Sequence, residues 1–224
     1  MKYVIISISV LSFLFSSCTK MNDLHDVYLK RGEKIYVGKL DSAYIFPGKE
    51  RVKLRFWPSD PRATKMVIYW QSRSDSMLVD ITPEIVGDSS DVIIKSLPEY
   101  DHIFEVVTMN NDFSNRSIPY TVTGSVYGER YQSITANRVI NEIFQDTLSE
   151  SWVIKWLGKV ETGIGSEIIY NTVDGEQMKV YTPMSENVTM LENLKSDLRY
   201  RTLFLPETDA IDTFYTGFTE VPLQ

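Results

Sequence analysis

Residues 51–56 read Arg-Val-Lys-Leu-Arg-Phe, with charged and apolar side chains in strict alternation. Successive side chains of a β-strand point to opposite faces, so Val52, Leu54 and Phe56 share one face and Arg51, Lys53 and Arg55 the other. Such a segment is a strand with one face buried. Similar short strand-like runs occur at Met66–Trp70, Met77–Ile81, Val92–Ile94, Ile103–Thr108 and Pro119–Thr123. The second half repeats them at Trp152–Trp156, Glu167–Tyr170, Gln177–Tyr181, Asn187–Leu191, Arg199–Phe204 and Ile211–Tyr215. Turn residues separate these runs, among them Pro58-Ser-Asp-Pro61, Gly87-Asp-Ser-Ser90 and Val173-Asp-Gly175. Short alternating strands with regular turn signals predict an all-β sandwich. One segment, Ala136–Phe144, spaces Val139, Ile140, Ile143 and Phe144 as a helix would. It fits the first strand of the second half equally well.

The two halves resemble each other. Leu54–Phe56 matches Ile154–Trp156, Met66–Tyr69 matches Glu167–Tyr170, and Met77 and Val79 match Met178 and Val180. The offset is about 100 residues, one sandwich-domain length. The expectation is therefore two tandem fibronectin-type-III/immunoglobulin-like sandwiches, residues 37–126 and 127–224, joined near residues 124–132. In such a sandwich Phe56 and Trp156 fill the large aromatic core position of the second strand. Tyr69 with Val67, and Tyr170 with Ile168, follow in the core phase of the next strand. Trp57 and Trp70 fall in the opposite phase and are the candidate ligand-facing aromatics, able to stack on a sugar ring. Strands two and three lie in opposite sheets, so the two tryptophans are not expected to form one site.

The N-terminus gives an address. Lys2 precedes an apolar run, Tyr3–Phe15. At about 13 residues it is roughly 20 Å long as a helix, too short for the ~30 Å core of a bilayer. That is the length of a signal-peptide core. Phe15-Ser16-Ser17-Cys18 follows and resembles the lipobox of bacterial lipoproteins, with small residues before an obligatory cysteine. Residues 1–17 are then a lipoprotein signal peptide, and Cys18 is the lipidation site, taking a diacylglycerol and an amide-linked acyl chain such as palmitate. Several acyl chains, at about 0.8 kcal/mol per buried CH₂, make a lasting membrane anchor. Residues 18–36 are the acylated cysteine and a polar tether.

Chemistry is sparse. The chain has 224 residues, one cysteine, two histidines and a net charge of −7. The single cysteine allows no internal disulfide and no cysteine-rich metal site. The negative charge, without a basic stripe, speaks against nucleic-acid partners. His25 falls in the tether and His102 at a strand start, so neither reads as the base of a hydrolase triad. No G-x-S-x-G, H-E-x-x-H or phosphate-cradling loop occurs. The Asp88-Ser-Ser-Asp91 run lacks the ligand count of a calcium loop. The expectation is no enzyme, no metal and no cofactor. Asp41-Ser42-Ala43, Asp75-Ser76-Met77 and Asp146-Thr147-Leu148 resemble the O-glycosylation sequon of Bacteroidota envelope proteins. They nominate Ser42, Ser76 and Thr147 as modification sites.

Several stretches carry a family resemblance across nearly all the mature chain. They are Tyr36–Ser42, Pro47-Gly48, Val67–Trp70, Tyr127–Ser133, Asn137-Arg138, Arg201-Thr202, Pro206 and Ile211–Thr216. Together they resemble the Bacteroidota lipoproteins with fibronectin-type-III-like domains, domain-of-unknown-function family 4998. His102 departs from that family, which tends to have tyrosine there, and this speaks against a tyrosine-corner hydrogen bond in the first domain. The resemblance implies placement in the cell envelope, often near glycan uptake, with no catalysis and no cofactor. The expected function is a binding or spacer module at the outer membrane, on its periplasmic face or the cell surface. Its partners are the membrane, through the lipid, and a glycan or envelope protein. The alternative is an adhesion or assembly protein that recruits another envelope chain through a strand edge.

Overall fold

The structure is a computed structural model and describes residues 36–223. Cys18, His25, and the expected signal peptide and tether as far as residue 35 lie outside the described residues. Strands β1 (Ser42–Pro47), β2 (Arg51–Trp57) and β5 (Ser90–Lys95) make one sheet, in the order β1-β2-β5. It faces a second sheet formed by β3 (Lys65–Trp70), β4 (Asp75–Asp80), β6 (Asp101–Met109) and β7 (Tyr120–Ser125), in the order β4-β3-β6-β7. A short helix, α1 (Glu129–Ile134), then leads into a second sandwich.

The second sandwich repeats the plan. Strands β8 (Ile140–Gln145), β9 (Trp152–Trp156) and β12 (Val188–Leu191) form a sheet in the order β12-β9-β8. Opposite lie β10 (Gly163–Thr172), β11 (Gln177–Pro183) and β13 (Leu194–Phe204), in the order β11-β10-β13. The short strands β14 (Phe214–Tyr215) and β15 (Thr219–Val221) both pair with β13. All ladders between these strands are antiparallel. In both halves, strands one, two and five face strands three, four, six and seven. That is the arrangement of a fibronectin type III domain, twice in tandem.

Alternation placed the first core correctly. Val52, Leu54 and Phe56 are buried to 1% exposure or less, while Arg51, Lys53 and Arg55 stay half-exposed. Ile154 and Trp156 occupy the matching place in the second core. Each such fully buried side chain contributes about 1.5–3 kcal/mol relative to an exposed one. Strand β3 departs from expectation. Met66 and Ile68 point inward with Trp70 behind them, while Val67 and Tyr69 point out. The equivalent residues are Ile68 with Ile168 and Trp70 with Tyr170, one position away from the alignment of Tyr69 with Tyr170. A one-residue slip exchanges the two faces of a strand.

Ala136–Phe144 is not a helix. Its second half is β8, where a bulge between Ile140 and Glu142 puts Ile140 and Ile143 on the core side. An extra residue in a strand shifts the phase and so imitates helical spacing. The helix lies upstream and is capped from a distance. The Glu99 carboxylate accepts from the backbone N–H groups of Arg130 and Tyr131, 2.8 and 2.6 Å away. Those first-turn donors have no partner within a helix.

His102 keeps the corner bond that its identity spoke against. Its Nε2 lies 2.9 Å from the Pro98 carbonyl, four residues upstream. A carbonyl only accepts, so the imidazole N–H donates in place of a phenol. The ring is buried between Tyr100 and Phe104, with centroids 4.2 and 5.8 Å away. The second sandwich secures its own corner from another strand, with the Tyr170 hydroxyl donating to the Glu192 carbonyl at 3.1 Å.

The second core also encloses a charge. Arg138 is fully buried and has no carboxylate partner among the described residues. Its Nε donates to Gly158 O at 2.6 Å, and the other nitrogens reach Glu186 O at 2.9 Å and Asn187 Oδ1 at 3.0 Å. The guanidinium sits 5.2 Å from the Trp156 ring. Burial lowers its pKa, and carbonyl oxygens with an aromatic face replace the water it gave up. Asn137 beside it accepts from Thr202 N at 2.8 Å and donates to Gly217 O at 2.9 Å, joining the start of β8 to the β13–β15 region.

The β3–β4 turn holds three successive non-glycine residues at positive φ, Gln71 (49°), Ser72 (54°) and Arg73 (67°). Each costs roughly 1–2 kcal/mol in that left-handed conformation. Ser72→Gly is therefore expected to raise stability by about 1 kcal/mol, read as a higher denaturant midpoint with an unchanged m-value. A lower midpoint would contradict this backbone assignment.

Candidate functional site

Four segments meet where the sandwiches join: the β1–β2 turn (47–50), the β5–β6 corner at Glu99, the helix α1, and the 205–213 loop before β14. Pro47-Gly48 makes the first turn tight. Gly48 O accepts from Tyr127 N at 3.1 Å, and Glu50 N donates to Tyr127 O at 2.8 Å. From the other sandwich, Ile211 N donates to Pro47 O at 2.8 Å. A Cβ on Gly48 would come within 2.6 Å of Asp212 Oδ2 and 2.7 Å of Ile211 Cγ1. The seam closes only because residue 48 has no side chain.

Asp212 is the polar centre of the seam. Its Oδ2 accepts from Lys49 N at 2.8 Å and Arg51 Nε at 2.9 Å, and its Oδ1 from an Arg51 terminal nitrogen at 2.5 Å. Two parallel N–H bonds from one guanidinium fix angle as well as distance. The arginine holds the Asp212 carboxyl below its ordinary pKa, against the opposing effect of burial. Two further carboxylates of the same loop take phenols from the linker and from β1. Tyr127 donates to Glu207 at 2.9 Å, and Tyr44 donates to Asp209. Burial, then Glu207, pushes the Tyr127 phenol up to about 12. Beneath these bonds Tyr127, Tyr131 and the buried Phe214 pack edge to face, with centroids 5.0, 5.1 and 6.4 Å apart.

Beside this clamp opens a cleft of about 420 Å³, lined by Lys49, Glu129, Gln132, Ser133 and Tyr215 among others. Lys49 Nζ donates to Gln132 Oε1 at 2.8 Å. Tyr215 is held from behind. The Arg201 guanidinium lies 4.2 Å from its ring centroid and donates to Glu167 at 2.8 and 2.9 Å. A more apolar hollow of about 390 Å³ lies on another side of α1, between Tyr131, Ile134, Val160 and Phe204.

The residues nominated from sequence are not brought together. Trp57 is half-buried at the end of β2, in the outward phase, and borders neither opening. Trp70 is corrected from solvent-facing to inward. It packs partly on the first core and also lines a small hollow of about 120 Å³ with Tyr69, Arg73 and Ile103. Of the sequon residues, Ser76 on β4 and Thr147 in the β8–β9 turn are exposed, while Ser42 is half-buried at the start of β1. Asp91 is taken by Arg55 at 2.7 and 2.8 Å. Sequence reading passed over Lys49, Arg51, Tyr127 and Asp212 as site residues. A signal was present, since Pro47-Gly48, Tyr127–Ser133 and Ile211–Thr216, three of the stretches that carry the family resemblance, all converge on this seam.

A family model, DUF4998, described as a domain of unknown function, matches residues 18–214. Among solved structures, the chain is similar to a segment of two fibronectin type III domains from chicken tenascin. That likeness is 15% identical and spans 83% of this chain and 98% of that one, with a TM-score of 0.32. It is also similar to the FN1–FN3 domains of chicken CNTN1, at 13% identity over 85% of this chain and 69% of that one, with a TM-score of 0.44. No curated protein sequence matches the chain.

The seam carries a pH dependence of definite sign. The folded Asp212 pKa is depressed, so its stabilisation is complete above the ordinary carboxylate value of about 3.9 and is lost as pH falls through the lower folded value. Paired spin labels on the two sandwiches are expected to report one distance at neutral pH and a broad distribution on acidification. Asp212→Asn and Gly48→Ala are expected to broaden it already at neutral pH. A single unchanged distance in both variants would show that the clamp does not set the angle.

Proposed function

The chain belongs to the DUF4998 family, and we propose that it is a non-enzymatic, lipid-anchored binding or spacer module of the cell envelope. The observation that carries this reading is the clamped seam. Strand β1 runs from Ser42 towards Pro47 at the seam, a path of about 20 Å at 3.3 Å per residue. Gly38, near the start of the compact unit, is held at the opposite pole by Asp60 and Thr108. A lipid on Cys18 would tether the chain through residues 19–36, which join the first sandwich. The clamp would give the two sandwiches one fixed angle, fit for a module that binds a glycan or an envelope protein.

The seam carboxylates Glu207, Asp209 and Asp212 are each committed to a structural hydrogen bond. Every carboxylate with a displaced pKa among the described residues is shifted downward. Asp91 and Asp212 are held down chiefly by the arginines bonded to them. A carboxylic general acid requires the opposite displacement. At two of the sheet edges, β4 with Asp75 and Asp80 and β11 with Lys179, charges blunt recruitment by edge pairing.

Two measurements test the address and its decoration. A palmitate analogue fed to cells is expected to label the native protein and not Cys18→Ser; equal labelling would remove the anchor from this reading. Intact-mass and peptide mapping of native protein are expected to find any O-glycan at Thr147 and Ser76 ahead of Ser42, whose hydroxyl is less accessible. Occupancy at Ser42 alone would contradict that order.

A further inference from the structure

We propose that the cleft at the seam, between the β1–β2 turn, α1 and β14, binds a neutral saccharide unit. This rests on the binding-module reading and assigns it a place and a ligand class. The cleft volume of about 420 Å³ falls in the range of small-molecule sites, about 300–1,000 Å³.

Its hydrogen-bonding capacity is mixed. Lys49 spends one donor on Gln132 Oε1, which leaves two ammonium N–H groups and both Gln132 amide N–H groups free to donate. The Glu129 carboxylate has no partner among the described residues and only accepts. The Ser133 hydroxyl donates to Arg130 O at 2.7 Å, which leaves its lone pairs open. A lone anion would meet Glu129, a lone cation would meet Lys49, and an apolar ligand would strand all of these groups without partners. A vicinal diol, whose hydroxyls each donate and accept, matches such a lining.

Tyr215 supplies the remaining element. Arg201 covers one face of its ring and does not itself border the cleft. The Glu167 pairing holds that arginine in place, so the tyrosine that lines the cleft is braced, and its ring is assigned as the stacking partner for the C–H face of a pyranose. Rigid aromatic walls lower the ordering cost of binding. Lys49 is positioned by the same turn whose backbone N–H is bonded to Asp212, so cleft and clamp form together.

Full-length protein in detergent micelles, applied to an array of neutral and uronic-acid oligosaccharides of glucose, galactose, mannose and xylose, tests this. At least one neutral oligosaccharide is expected to bind. Tyr215→Ala and Glu129→Ala are expected to weaken it by about tenfold or more, about 1.4 kcal/mol, with Trp57→Ala within about twofold of the parent. Glu129 is exposed on α1, so its variant reports on the cleft even if Tyr215→Ala misfolds. Neutral-sugar binding unchanged in Glu129→Ala and in a folded Tyr215→Ala would overturn the cleft and leave the binding module standing. Retention of uronic-acid oligosaccharides alone, or of none at millimolar concentration, would also overturn it. The broader reading would then stand or fall on Cys18 labelling.

Discussion

Asp212 lies on a loop of the second sandwich, yet it accepts three hydrogen bonds from the first, one from Lys49 N and two from Arg51. Two sandwiches joined by a short linker would ordinarily change their relative angle freely, since interfaces between domains of one chain are small and polar. Here a bidentate arginine fixes one direction and the Tyr127–Tyr131–Phe214 packing fixes another. The bare backbone at Gly48 lets the two meet at van der Waals distance. The cleft, the Lys49 position and the orientation of α1 all follow from this contact.

Polar groups that cross between elements recur elsewhere, and each replaces a partner the local chain lacks. Glu99 caps a helix in the linker because the residue before that helix, Gly128, has no side chain to do so. His102 supplies a corner bond through an imidazole N–H. Arg138, buried without a carboxylate, is satisfied by two carbonyls, an amide oxygen and the Trp156 ring. A buried charge left unpaired is expensive, so these acceptors define the geometry of the second core as firmly as its apolar residues do. Asn137 and Arg138 are thereby accounted for by folding, and they are not ligand-facing.

Local pattern went far for the strands. Alternation at Arg51–Phe56 and Trp152–Trp156 named the core faces, because side-chain period depends only on backbone conformation. It failed where one residue of register mattered. At β3 the tyrosines of the two halves invited an alignment that turned Trp70 outward, and the structure turns it inward. At β8 a bulge left helix and first strand equally open to sequence reading, and the structure shows the strand. Both ambiguities have the same origin, since an inserted or slipped residue exchanges faces while leaving composition untouched.

The seam was beyond such reading for a different reason. Arg51 and Asp212 stand 161 positions apart, and nothing in the neighbourhood of either residue reports the other. An all-β chain of two halves, with an apolar run shortly before the sole cysteine, follows from period, spacing and composition, which are properties of contiguous segments. The partner of each charged side chain, the aromatic that faces a cleft and the one that faces the core, depends on how finished sheets pack against one another. Those positions exist only once long-range contacts have closed, and no contiguous stretch of sequence carries the seam or its cleft.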